Sequence, residues 1–135
     1  MTSDRPSAHE IVSKVEQALA AVASGNRLIG VGYHVNGDFE ECLFYDEADF
    51  WDMLPELLNE LLNELKQPDT FKCYAGKSPP TKSIEPNLQG LELWAFCWHS
   101  QRLGFKAYLK FCIKNDKNGR PHCLHVRIHK SRPPQ

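Results

Sequence analysis

The chain has 135 residues, 41% of them hydrophobic and 24% charged, with a formal net charge of −1. Those values fit one globular domain, 1–135, and exclude collagen-like, low-complexity and wholly disordered chains; no apolar run approaches the roughly 18–20 residues of a membrane helix. The charge is split: residues 1–67 hold 4 Lys/Arg against 13 Asp/Glu (−9) and residues 68–135 hold 12 against 4 (+8), which suits either a nucleic-acid surface or mutual attraction of the two halves.

Residues 1–6 lack the basic-then-apolar order of a secretory signal and are expected to be flexible, like 131–135. Ser7-Ala8-His9-Glu10 has the form of a capping box, and Ile11, Val15, Leu19 and Val22 recur at helical spacing behind it. This predicts a helix over about 8–24, with Gly25 at its C′ position. Asn36-Gly37 lies between two alternating runs and predicts a β-hairpin. Gly30 and Gly32 would leave a flat patch on its first strand, for a packed helix or for a small ligand beneath a later loop. A second helix is expected over 49–66, with Leu54, Leu57, Leu58, Leu61, Leu62 and Leu65 as its apolar stripe. Pro55 moves its expected start to Asp52 as N-cap. Glu56, Glu60 and Glu64 form a like-charged row without a compensating Lys, either a solvated face or a docking strip for a basic partner.

A short strand is expected at 71–75, followed by a long loop over 76–90. Gly76-Lys77-Ser78 is no phosphate loop, because Phe71 stands where a Gly is required and Pro79-Pro80 blocks the helix. Three more strands are expected at 91–98, 105–113 and about 121–129, the last two joined through 115–119. The order predicts an α+β domain: a mainly antiparallel sheet of about five to six strands packed with two amphipathic helices.

Alternation along the final hairpin sorts its side chains. Phe105, Ala107, Leu109, Phe111 and Ile113 make a core face. Lys106, Tyr108 and Lys110 face the other way, and pairing the apolar faces adds His125, Arg127 and His129, with Lys130 and Arg132 extending the set. Such a set suits metal-independent RNA cleavage: Lys110, His125 and His129 are the acid–base candidates, and Lys106, Tyr108, Arg127 and Lys130 the nucleic-acid contacts. Trp94, Phe96 and Trp98 share one face of their strand and read as core. His125 and His129 would stand about 13 Å apart on a strand, too far for one zinc ion, so no metal and no cofactor are expected. Cys42, Cys73, Cys97, Cys112 and Cys123 are odd in number and never spaced as CxxC. They read as reduced, structural thiols of a cytoplasmic protein.

The segment Ala107-Tyr108-Leu109-Lys110, with Cys123-Leu124-His125-Val126-Arg127-Ile128-His129, resembles the C-terminal strands of MqsR-like ribonuclease toxins, which belong with the RelE-type toxins. Leu93-Trp94-Ala95-Phe96 resembles that family's aromatic strand. The likeness covers about the last 40 residues, through short, degenerate motifs. It implies a small cytosolic mRNA-cleaving toxin with a cognate protein partner, and it carries over Tyr108 and Lys110, with Arg127 and His129 as a looser match. The acidic Leu-rich helix and the pI of about 6.6 depart from that pattern. The expected function is therefore interaction with single-stranded RNA, in its specific form a toxin-type endoribonuclease. The alternative is a non-enzymatic protein-interaction module using the acidic helix or the basic sheet face.

Overall fold

Ser7 caps the first helix in a computed structural model that describes residues 5–132. Its Oγ accepts from the Glu10 N–H at 3.1 Å, and α1 runs Ala8–Ala23. The Glu10 carboxylate does not close the box; it pairs with Arg5, which also reaches Glu92. The expectation of flexible ends falls largely on residues 1–4 and 133–135, outside the described residues. Arg5 is ion-paired and the Ser131 N–H donates to the Lys106 carbonyl, so both described ends are tied to the fold.

The hairpin expected around Asn36-Gly37 is absent. In its place stand a three-residue strand, β1 (Arg27–Ile29), and a short helix, α2 (Val35–Glu41). Long-range contacts override the local turn preference. Asp38 in the first turn of α2 accepts from Arg127 Nε and Nη2 at 2.9 and 3.0 Å and from the Ile128 N–H at 3.3 Å. Glu41 at its end accepts from Arg132 and from the Lys130 N–H, and Phe39 is buried in the core. The next helix, α3 (Glu47–Leu65), starts five residues before Asp52. Asp46 is its N-cap: its carboxylate accepts from the Asp49 N–H while Asp49 accepts from the Tyr45 N–H, a reciprocal pair that outweighs the signal at Asp52. Pro55 is tolerated inside the helix, at the loss of one backbone bond to Trp51, because Phe50 and Trp51 ahead of it are buried.

The segment expected as a strand at 71–75 forms a 3₁₀ turn (Thr70–Cys73), after which Tyr74 makes one bridge to Phe96. Three long strands complete the chain: β2 (Trp94–Ser100), β3 (Phe105–Asn115) and β4 (Pro121–Lys130). The sheet order is β1-β4-β3-β2, with β1 parallel to β4 and the other pairs antiparallel. The architecture is thus α+β with three α-helices and four mixed, mostly antiparallel strands, against the expected two helices and five to six strands. None of the helices among the described residues is long and apolar enough to cross a membrane.

The two faces of the sheet are covered differently. On one lie α1 and α3, whose Ile11, Val15, Phe50, Leu54, Leu58 and Leu61 pack with Trp94, Phe96, Trp98, Leu109, Phe111 and Ile128. The Leu stripe of α3 is therefore consumed by the core. Glu60 accepts from Trp98 Nε1, Ser100 Oγ and the Arg102 N–H, and Glu56 pairs with Arg102. Glu56 and Glu60 of the acidic row are thus partnered from the end of β2 and the β2–β3 turn, far along the chain. On the other face lies the 76–90 loop, which is ordered: backbone bonds join Ser83 and Leu93 to Leu91 and Thr81, and Leu88 packs on Val31, Cys112, Leu124 and Val126. A Cβ at Gly30 would lie 2.9 Å from Leu88 Cδ2 and 3.1 Å from the His125 carbonyl, so this glycine admits Leu88, at the end of a short 3₁₀ helix (Pro86–Leu88) within the loop.

Candidate functional site

A single irregularity in the β3–β4 ladder decides which candidates share a face. Tyr108 pairs with His129 and Lys110 with Arg127, but Phe111 pairs with His125, leaving Val126 as an extra residue of β4. Beyond this bulge the alternation of β4 is inverted. Tyr108, Lys110, Arg127 and His129 stay on the loop side, as the alternation predicts. His125 turns to the helix side with Phe111.

The placement of His125 overturns its candidacy. It is 1% exposed and surrounded by Phe39, Phe50 and Trp51, with ring centroids at 6.4, 4.5 and 6.4 Å. Neither ring nitrogen has a hydrogen-bond partner, and burial pushes its pKa down to about 3. A neutral imidazole sealed in an aromatic cage cannot exchange protons with a substrate. His129 is also displaced from an acid–base role. It is buried with its ring stacked on Tyr108 at 4.8 Å, and its Nδ1 lies 2.6 Å from both the Lys130 carbonyl and Arg132 Nη1. Lys130 belongs to the helix side: it pairs with Ala107, and its Nζ sits 5.3 Å from the Phe105 ring centroid. Lys106 is exposed on the loop side opposite His99.

Two adjoining open hollows on the loop side meet at Lys110. The first, of about 310 Å³, lies between the segment after β1 and the loop, and is lined by Tyr33, His34, Lys82, Glu85, Lys110 and Arg127 among others. The second, of about 210 Å³, is lined by Ala75, Gly76, Lys77, Ala95 and Tyr108. Thr81, Leu93 and Lys110 line both. Lys110 therefore stands on the floor where the hollows meet, its Nζ 5.9 Å from the Tyr108 centroid. Burial, and then the Arg127 guanidinium, push its pKa below the usual lysine value. Arg127 is held charged by the buried Asp38, and burial raises the Tyr108 phenol. Tyr33 is 70% exposed at the rim, with its hydroxyl donating to Glu85 at 2.7 Å and its ring 4.3 Å from His34.

The charge split has a structural counterpart. Among the described residues, three ion pairs join carboxylates of the acidic half to arginines of the basic half, Glu56–Arg102, Asp38–Arg127 and Glu41–Arg132, and Arg5–Glu92 joins the halves in the opposite sense. Arginines thus take the cross-fold partners, whereas among the described residues no lysine makes an ion pair. Lys77, Lys82 and Lys110 are left facing the hollows without a carboxylate partner.

His34, Lys77 and Lys82 are site residues that sequence reasoning missed. His34 was hidden by the hairpin reading, and the lysines by a loop without periodicity. All five cysteines are free and buried. Burial raises the Cys42, Cys112 and Cys123 thiols to about 12, which makes them inert at neutral pH. Among the described residues no group of three or more His, Cys, Asp or Glu side chains is gathered as for a metal ion. Comparison with protein-family models, with curated proteins and with solved structures finds no match to this chain.

Proposed function

We propose that this protein binds single-stranded RNA along the loop-covered face of its sheet and cleaves it by metal-independent transesterification. The observation that carries the reading is Lys110, a half-buried ammonium between two hollows with Lys77 and Lys82 at their edges. A cation desolvated in this way, with no internal carboxylate, gains most from a phosphodiester brought from outside. Tyr33 offers an exposed ring on which a splayed base can stack, with the half-buried His34 beside it. Tyr108 and Lys110 also carry the resemblance to MqsR-like and RelE-type toxins. That resemblance adds a cognate protein partner and a cytoplasmic setting to the proposal.

For the chemical step, the 2′-hydroxyl proton passes to the His34 imidazole. The 2′-oxygen then bonds to phosphorus as the bond from phosphorus to the 5′-oxygen breaks, and the Lys110 ammonium gives a proton to the departing oxygen. The products are a 2′,3′-cyclic phosphate and a 5′-hydroxyl. The downward push on the Lys110 pKa favours this proton-donor role, and Lys82 counters charge on the phosphate.

The test is titration of a short fluorescent RNA in EDTA, followed by product analysis. Affinity is expected to fall steeply with salt, and Lys110→Met to weaken it about tenfold. Cyclic-phosphate product is expected from the wild type and not from Lys110→Met or His34→Ala. Binding without cleavage would remove the catalytic part and keep the RNA part; no binding at low salt would overturn both. One other patch favours a protein partner: Leu43 and Tyr45, 88% and 93% exposed, stand beside Asp46 and Glu47 ahead of α3. A partner captured there would be released by Leu43→Ser and Tyr45→Ser, and not by salt.

A further inference from the structure

We infer that the two hollows are adjacent nucleotide subsites and that the phosphodiester joining two bound nucleotides lies over Lys110. The inference rests on the RNA reading and specifies how the strand is seated.

The geometry is that of a step with one cation at its centre. Lys110, Thr81 and Leu93 form the divide, so a ligand filling both hollows must cross the Lys110 ammonium. The hollows differ in chemistry on either side of it. In the first, Glu85 accepts from the Tyr33 hydroxyl at 2.7 Å, and an ionised carboxylate keeps further lone pairs for an exocyclic amine. Cytosine is therefore the probe base of choice. In the second, Ala75, Gly76 and Ala95 are small, and the buried Tyr108 ring beside them is stacked on His129. Those small side chains leave a slot for a flat ring. Gly76 is required there for a separate reason: a Cβ would meet the Tyr74 ring, whose hydroxyl donates to the Lys77 carbonyl. Lys77 lines the second hollow and Lys82 the first, so each hollow brings a cation of its own besides Lys110.

The experiment measures binding of three probes to the full chain: cytidylyl-cytidine, cytidine 3′-monophosphate and a longer oligocytidine. The dinucleotide is expected to bind about tenfold more tightly than the mononucleotide. Lys110→Met should erase that difference. Ala75→Trp fills the slot from an exposed position and should weaken the dinucleotide while leaving the mononucleotide unchanged. Lys77→Ala, a milder change, should weaken the oligomer more than the dinucleotide, and circular dichroism of each variant verifies folding. Equal binding of the mono- and dinucleotide, both insensitive to Ala75→Trp while the oligomer still binds, overturns the two-subsite inference and leaves the RNA reading standing. Failure of the oligomer itself to bind overturns the RNA reading beneath it.

Discussion

The two faces of the sheet use the same strands and differ in what covers them. The helix side is sealed by long apolar side chains from α1 and α3, and its embedded polar group, His125, is left without a partner. The loop side carries only small buried clusters, around Leu88 and around Tyr108, and between them Lys110 stands open beside the loop. A face covered by helices becomes a core; a face covered in part by a loop keeps recesses in which desolvated cations can meet a ligand. The bulge at Phe111 separates the two outcomes for neighbouring residues of β4, sending His125 inward and leaving Arg127 outward.

The largest expected effect is on the helix side. Phe50→Ala removes a fully buried ring from the aromatic cage and should destabilise the chain by about 3–5 kcal/mol in urea unfolding. Leu88→Ala on the loop side should lie at the low end of the Leu→Ala range, about 2 kcal/mol, because the loop can settle into the space. A larger loss at Leu88 would show that the loop is as much a part of the core as α3. Next comes the contact joining α2 to the sheet. Asp38→Asn leaves the Arg127 guanidinium unpaired and should cost about 2–3 kcal/mol, less than a wholly buried pair because Arg127 keeps 24% of its side chain exposed.

His125 makes the contrast dependent on pH. The unfolded chain takes up a proton on this residue near pH 6.5, whereas the native core resists it down to about pH 3. Between these values the unfolded state binds more protons, so stability falls as pH drops through that window. His125→Leu removes this contribution. It should raise stability at pH 7 by about 1–2 kcal/mol by deleting two unpartnered nitrogens, and flatten the dependence of the urea midpoint between pH 7 and pH 5. An unchanged slope would mean that the imidazole is solvated. The smallest effects concern binding: Lys110→Met should weaken RNA about tenfold, about 1.4 kcal/mol, whereas Lys130→Met, on the opposite face, should leave it unchanged. Equal losses would mean that net charge alone holds the RNA.

Much of this molecule was legible in its sequence wherever the signal is local. Ser7 and the 3.6-residue spacing behind it define α1, the Leu stripe marks the buried face of α3, and alternation in β3 sorts Lys106, Tyr108 and Lys110 from Ala107, Leu109 and Phe111. These features depend on neighbours a few residues away, and short-range geometry fixes them. Tertiary structure alone decided the rest. Asn36-Gly37 favours a turn, yet Asp38 finds Arg127 eighty-nine residues later and the segment becomes a helix. The Glu56 and Glu60 carboxylates are compensated by groups at 98–102, which no spacing on α3 could announce. The inversion of β4 at the bulge has no sequence mark, because a one-residue shift in pairing is set by what packs on each side. Phe39, Phe50 and Trp51 draw His125 inward while Leu88 holds Val126 outward, and the site lies where those two demands part.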